Sequence, residues 1–189
     1  MFLSSPLLKK LVLLAAVASL AATAHATGIS ATATYTYSMV SPGVYDYSVT
    51  LDNTGTTTIG TFWFSWIPGA GFLSATPTNI DSPAGWTDKT TNSGAAIQWT
   101  TTTSPLAAGD WLSGFSFTST ETPAQLLLDF TGTGTGSGDP VTTSTVYAGA
   151  PLVGTDDEFV ATPTPEPSSM LLLLTGVGLL GFVRRMVRA

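Results

Sequence analysis

The chain of 189 residues carries a formal net charge of −6, with 12 acidic residues, one histidine and no cysteine. Five of the six basic residues lie near the two ends. The stretch from Thr27 to Glu166 therefore holds one lysine, Lys89, against all 12 acidic residues, a net charge of −11. A body this acidic is repelled by phosphate backbones, which excludes nucleic acid as a partner. The absence of cysteine excludes disulfides and thiolate chemistry.

The first 26 residues have the three parts of a secretory signal peptide. They are a basic start at Lys9 and Lys10, an apolar stretch over residues 11–22, and a small-x-small site at Ala24 and Ala26. This order of parts is typical of export signals, and the apolar stretch is short for a membrane span. We predict that residues 1–26 direct export and that the signal is cleaved after Ala26.

Residues 27–160 are predicted to form one all-β domain that begins with a hairpin. ISATATYTYSMV, from Ile29 to Val40, alternates apolar and hydroxyl-bearing residues, and VYDYSVTL, from Val44 to Leu51, alternates in the same way. A period of two indicates half-buried strands, and the Ser-Pro-Gly sequence between the two runs favours a tight turn.

The next strand, IGTFWFSWI over residues 59–67, has large apolar residues at odd and even positions. Strict alternation places Phe62, Phe64 and Trp66 on one face and Trp63 on the other. An outward indole at Trp63 could stack on a sugar ring, which makes it the candidate carbohydrate-binding residue. A second buried layer over Trp63 explains the same pattern, and the sequence leaves both interpretations open.

Six further short segments indicate strands, because each is rich in aromatic, β-branched or aliphatic residues and is bounded by turn residues. They are GFLSA, AAIQWTTTT, WLSGFSFTS, QLLLDF, VTTSTVY and EFVAT, and QLLLDF could instead form a helical turn after Thr122 and Pro123. Eight or nine strands at this spacing predict an antiparallel β-sandwich. The turns at 53–55, Asn-Thr-Gly, and at 106–110, Leu-Ala-Ala-Gly-Asp, resemble those of bacterial immunoglobulin-like surface domains. That resemblance implies an immunoglobulin-like sandwich.

Catalytic chemistry has few residues to use. The one histidine, His25, leaves with the signal peptide, which excludes Ser-His-Asp units and His-ligated zinc in the mature chain. Lys89 lacks a Ser-x-x-Lys spacing. Paired carboxylates could support a glycosidase, and Asp156-Asp157-Glu158 could help to bind calcium, but acidic residues are also favoured in solvated turns. We predict that the protein is not an enzyme and has no cofactor or metal.

The C-terminal sequence PTPEPSSMLLLLTGVGLLGFVRRMVRA follows a Pro-rich linker predicted at 161–167. The uncharged run over 168–183 would span roughly 24 Å as a helix at about 1.5 Å per residue, which is marginal for a bilayer core of about 30 Å. The basic end over 184–189 would hold this helix with its terminus in the cytoplasm and the body outside. We predict a short transmembrane helix in the inner membrane.

A plain anchor does not require Pro165, Glu166 and Pro167 before its apolar run. This motif, followed by a short helix and the cluster Arg184, Arg185 and Arg188, resembles the PEP-CTERM sorting signal of Gram-negative bacteria. The resemblance implies that these six residues form the sorting motif. It also implies the secretion machinery and exosortase, a membrane-embedded transpeptidase-like enzyme, as partners. Cells with this system make extracellular polysaccharide.

Together these features predict a non-enzymatic exported protein of the cell surface or extracellular matrix, associated with exopolysaccharide or biofilm. Two alternatives stay open from the sequence. One is a glycan-binding module that uses Trp63, and the other is a simple membrane-anchored surface protein without processing.

Overall fold

The computed structural model describes residues 28–149 and 152–164. The predicted signal peptide with Ala24 and Ala26, the sorting residues between Pro165 and Arg188, and the predicted helix at 168–183 lie outside these residues. The regular secondary structure of the described part is almost entirely β-strand, as the sequence predicts.

Twelve strands, one short helix and one 3-10 turn follow one another in the described part. The strands are β1 (Ala31–Ser41), β2 (Val44–Asn53), β3 (Thr61–Phe64), β4 (Trp66–Ile67), β5 (Ala70–Gly71), β6 (Thr78–Asp81), β7 (Thr87–Thr91), β8 (Ala96–Thr100), β9 (Trp111–Ser119), β10 (Thr143–Gly149), β11 (Val153–Val160) and β12 (Thr162–Pro163). The 3-10 turn is Asn92–Gly94 and the helix, α1, is Pro123–Leu126.

The strands form two five-stranded sheets and one small hairpin. Sheet one has the order β12-β1-β2-β9-β6, sheet two has the order β11-β10-β3-β8-β7, and β4 pairs only with β5. All neighbours within the two sheets are antiparallel except β1 and β12, which are parallel. The predicted all-β sandwich is confirmed, and so is the β1–β2 hairpin.

Aromatic side chains join the two sheets in the core. Phe62 of β3 stacks on Trp99 of β8 with ring centroids 5.3 Å apart and meets Phe115 of β9 edge-on at 5.4 Å. All three rings are buried. The Trp99 indole N–H donates to the carbonyl oxygen of Asp81, 3.0 Å away, so its polar atom is satisfied. Each aromatic pair adds about 0.5–1.5 kcal/mol to the stabilisation from burial.

The alternation predicted for residues 59–67 breaks at Ser65. This residue has a φ of 56°, a left-handed conformation that is uncommon outside glycine. Phe62 and Phe64 face the core as predicted, but after Ser65 it is Ile67 that faces the core. Trp66 lies with Trp63 on the opposite side of the sheet, so the prediction that Trp66 shares the face of Phe62 and Phe64 is wrong. One left-handed residue therefore exchanges the sides of the sheet on which Trp66 and Ile67 lie.

The segment QLLLDF is not a strand. Thr122 caps helix α1 through a capping box: the Gln125 N–H donates to the Thr122 hydroxyl at 3.2 Å, and the Thr122 N–H donates to the Gln125 side chain at 2.7 Å. Pro123 occupies the first turn, where its missing N–H costs nothing. The capping box and the helix propensity of leucine therefore favour a helical turn over a strand here.

The sequence also missed two polar edge strands, β6 and β7, the second of which carries Lys89. Their residues lack the apolar alternation that signals a strand, since each lies at the edge of its sheet, where polar and charged side chains are common. In the predicted strand GFLSA, only Gly71 is part of a strand.

Asn53 links the two turn sequences at 53–55 and 106–110. Its side-chain amide donates to the carbonyl oxygens of Leu106 at 3.2 Å and Ala107 at 3.0 Å. The same amide donates to the carbonyl oxygen of Thr57 at 2.9 Å, while its oxygen accepts from the Gly55 N–H at 3.1 Å. Asn53 is fully buried, and these bonds satisfy the donors and the acceptor of its side chain within the protein.

The folded part extends beyond residue 160. Ala161 is buried, and its N–H donates to the Thr142 carbonyl at 3.1 Å. Strand β12 follows directly, with Thr162 opposite Thr34, and the Thr164 N–H donates to the Tyr35 carbonyl at 2.8 Å. The first four residues of the predicted linker at 161–167 are therefore part of the sandwich.

We expect Asn53→Ala to lower the free energy of unfolding by at least about 2 kcal/mol, because it removes the four hydrogen bonds of a buried side chain, at about 0.5–1.5 kcal/mol net for each bond. Asn53→Asp should cost as much or more, since it places a carboxylate against the same carbonyls. Urea denaturation of both variants measures the effect. Losses below 0.5 kcal/mol, which is about the size expected for an exposed site, would contradict the role of Asn53.

Candidate functional site

Trp63 lies on the outer side of sheet two, yet it is covered. Trp66 of the β4–β5 hairpin stacks on it with ring centroids 4.1 Å apart and an interplanar angle of 22°. Only 6% of Trp63 and 7% of Trp66 is exposed. The Thr145 hydroxyl donates to the Trp66 carbonyl at 2.8 Å and helps to fix the hairpin over the sheet. In this arrangement Trp63 offers no open ring face to a sugar.

Trp111 is the tryptophan that is open to solvent. It begins β9 and is 67% exposed. Trp86 and Trp99 are both buried. On sheet one, Trp111 pairs with Asp52, and Asp52 pairs with Thr32, so the three residues form one row across the strands.

The outer face of sheet one around this row is rich in hydroxyl groups. Alternation sends Ala31, Ala33 and Leu51 into the core and leaves the intervening residues on the opposite face. A second row across the strands consists of Thr36, Ser48 and Ser116. The face therefore combines one exposed indole with hydroxyl and carboxylate oxygens. We refer to the residues Thr32, Thr36, Ser48, Asp52, Trp111 and Ser116 as the Trp111 face.

The acidic sequence Asp156-Asp157-Glu158 lies on strand β11 and not in a turn. The Asp157 carboxylate accepts from the Ala31 N–H at 3.0 Å and is engaged with sheet one. Asp156 and Glu158 are opposite Tyr147 and Thr145. Burial, with the nearby Asp156, Asp139 and Asp157, raises the pKa of Glu158. Within the described residues, no group of three or more acidic or histidine side chains is arranged to hold a metal ion.

A pocket of about 240 Å³ lies between the end of β9, helix α1 and the segment after β5. Its polar lining includes Ser74, Glu121, Gln125, Asp129 and Thr131. Its apolar lining consists of Phe72, Leu128, Phe130 and Val141. This pocket could not be predicted from the sequence, because its lining residues come from segments that are far apart in the chain and meet only in the fold.

Glu121 is the most constrained residue of this pocket and is only 3% exposed. One carboxylate oxygen accepts hydrogen bonds from the N–H and the hydroxyl of Ser74 and from the Ala75 N–H at 3.3 Å. The other oxygen, Oε2, is buried without a hydrogen-bond partner. A buried carboxylate oxygen without a hydrogen-bond partner is costly, and none of the described residues donates to this one.

Two buried tyrosines lie behind Glu121. The Tyr47 hydroxyl donates to the main-chain carbonyl of Glu121 at 2.6 Å, whereas the Tyr35 hydroxyl has no partner. Their rings meet edge-on with centroids 6.1 Å apart. Burial and the neighbouring Tyr37 raise the pKa of Tyr35 to about 12, and burial also raises the pKa of Tyr47. Both hydroxyls are therefore neutral over the physiological pH range.

Comparison with protein families finds one match, at the C-terminal end of the chain. Residues 163–189 match the PEP-CTERM protein-sorting motif. This match confirms the sorting signal recognised in the sequence, and it indicates an exported protein that is processed by exosortase and routed through the membrane to the cell surface. Among the described residues, no helix has the length and apolarity needed to cross a membrane.

Comparison with curated proteins finds no match. Among solved structures, a GH20 exo-β-N-acetylglucosaminidase from Vibrio harveyi is similar at 10% identity and a TM-score of 0.39, over 71% of this chain and 18% of that chain. The chitin-binding domain of Chi18aC from Streptomyces coelicolor has 26% identity and a TM-score of 0.34, over 48% and 79%. A CBM3 of Hungateiclostridium clariflavum has 13% identity and a TM-score of 0.36, over 67% and 97%. TM-scores this low carry no argument about fold or function.

We expect Tyr47→Phe to lower the free energy of unfolding by about 1 kcal/mol, because it removes a buried hydrogen bond and leaves the Glu121 carbonyl unsatisfied. Tyr35→Phe, the matched variant, should be neutral or stabilising, since it removes a hydroxyl that has no partner. Urea denaturation of the two variants side by side distinguishes them. Equal losses would show that the Tyr35 hydroxyl is satisfied after all.

Proposed function

We propose that this protein is a non-enzymatic structural component of the bacterial surface or extracellular matrix, and that its immunoglobulin-like sandwich associates with exopolysaccharide. The observation that carries the proposal is the sorting motif at residues 163–189, which begins within the last strand of the folded body. A sorted chain delivers its body to the surface. The function of such a protein then depends on what the outer faces of its β-sandwich contact.

The scarcity of catalytic groups supports a structural role. The stretch from Thr27 to Glu166 contains neither histidine nor cysteine, and Lys89 is its one basic residue. Acid–base or nucleophilic catalysis would therefore depend on carboxylates and hydroxyls alone. We propose that the membrane segment at 168–183 holds the chain only until exosortase acts on the tail.

The Trp111 face supports an association with polysaccharide. An indole presents a flat apolar surface that suits the C–H face of a sugar ring. Around it, Asp52 and the serines and threonines of sheet one can exchange hydrogen bonds with sugar hydroxyls. Trp63 cannot play this part while Trp66 covers it. The exposed Trp111 therefore takes the role that the sequence suggested for Trp63.

Mass spectrometry of the protein recovered from the cell surface tests the processing step. We expect no peptides that run intact from Met170 to Arg188. A variant with Glu166→Ala and Pro167→Ala should keep these peptides, whereas Ser168→Ala, a matched change next to the motif, should be processed normally. Intact tail peptides in the surface-exposed wild-type protein would show a simple anchor.

A pull-down with the exopolysaccharide of the producing cell tests the Trp111 face. We expect Trp111→Ala to reduce retention about three- to tenfold, as the loss of aromatic stacking implies, and Trp111→Phe to restore most of it. Val153→Ala removes an equally exposed apolar group from sheet two and should retain polysaccharide as the wild type does. Equal retention by all variants would exclude binding through this face.

A further inference from the structure

The unpartnered oxygen of Glu121 has no counter-charge within the body. The one basic residue of the described part, Lys89, lies on β7 at an edge of sheet two, whereas Glu121 follows the last residue of β9 in sheet one. Lys89 is opposite Gln98 in its own sheet. A carboxylate that is 3% exposed normally has an ion pair or a metal beside it. No other described residue provides a cationic partner to Glu121.

The walls of the pocket narrow the chemistry of the missing partner. Phe72 and Phe130 line it and meet edge-on with ring centroids 5.0 Å apart. Aromatic faces attract cations, and Asp129 adds a second carboxylate. A bare or hydrated metal ion gains little from Leu128 and Val141, which line the same cavity. Carboxylates beside aromatic and aliphatic side chains suit an organic cation, which has both a positive charge and an apolar part.

The size of the pocket limits the size of this organic cation. Its volume of about 240 Å³ exceeds by several times the roughly 30 Å³ that one water molecule occupies in the liquid. It is smaller than the range of about 300–1,000 Å³ that is typical of pockets for drug-sized ligands. The pocket is therefore large enough for a single sugar unit or a short aliphatic chain.

We infer that this pocket binds a primary ammonium group on a small organic molecule, with Glu121 and Asp129 as the anionic partners and Phe72 and Phe130 as the aromatic wall. The ammonium donates a charge-assisted hydrogen bond to the unpartnered oxygen of Glu121. Two sources share this chemistry: a deacetylated amino sugar and an aliphatic amine. This site is separate from the Trp111 face, and neither depends on the other.

Calorimetric titration of the purified protein with four small probes tests the inference. Glucosamine and n-butylamine carry the ammonium group, whereas glucose and N-acetylglucosamine carry none. We expect both amines to bind with dissociation constants on the order of 1 mM, and the two neutral sugars to bind at least about tenfold more weakly. Tighter binding of glucosamine would identify an amino sugar as the ligand, and tighter binding of butylamine an aliphatic amine.

Variants locate the binding. Glu121→Gln keeps the shape and the hydrogen bonds from Ser74 but removes the charge, and it should weaken amine binding about ten- to hundredfold. Asp129→Asn, an exposed change with little risk to folding, should weaken it in the same direction. Asp88→Asn alters the net charge equally on β7, where Asp88 accepts from the Ser82 hydroxyl, and should leave binding unchanged.

Three results would overturn the inference. One is equal binding of glucose and glucosamine, and the second is equal weakening by Asp88→Asn and Asp129→Asn, which would show attraction to net charge alone. The third is tighter binding of calcium chloride than of either amine, with loss in Glu121→Gln, which would make the pocket a metal site. Trp111→Ala should leave amine binding unchanged, so a failure of the polysaccharide proposal is distinguishable from a failure here.

Discussion

The side-chain amide of Asn53 links two of the crossovers between the sheets. After β2 the chain leaves sheet one for β3 of sheet two, and after β8 it leaves sheet two for β9 of sheet one. Asn53 ends the first of these strands and donates to the carbonyls of Leu106 and Ala107 in the second crossover. The main chain adds reciprocal bonds, from the Asn53 N–H to Asp110 and from the Gly109 N–H to Asn53. One buried amide thus holds the two connecting segments together at this end of the sandwich.

Glycine serves the same junction. A Cβ atom at Gly55 would fall on the backbone of Gly28 and Ser30, so no other residue allows the turn to pack against the segment that precedes β1. Asn53 and Gly55 of the Asn-Thr-Gly turn are therefore explained by contacts with residues that are distant in sequence. The pattern of two turn motifs could be read from the sequence, but the hydrogen bonds between them could not.

The sequence predicted most accurately where one face of a strand is buried and the strand is regular. The β1–β2 hairpin follows from alternation, since the core accepts every second residue. Strand β9 follows from its aromatic and aliphatic residues and from the turn residues that bound it. The prediction failed at Ser65, because its left-handed conformation is held by distant contacts: its hydroxyl donates to the Val141 carbonyl, and its own carbonyl accepts from the Phe72 N–H. These bonds lie outside any local pattern. The same break explains why Trp66 covers Trp63.

The sorting signal is continuous with the sheet and not joined to it by a loose linker. Strand β12 pairs with β1, the first strand of the body, so the edge of sheet one is complete only when the last residues before the signal are in place. Thr164 is still hydrogen bonded to Tyr35, and the next residue is Pro165. Proline has no N–H to extend the ladder, so Pro165 and Pro167 favour an end to the pairing where the recognition residues begin. The described fold therefore ends at an edge of the sandwich, and cleavage beyond Thr164 would leave that edge intact.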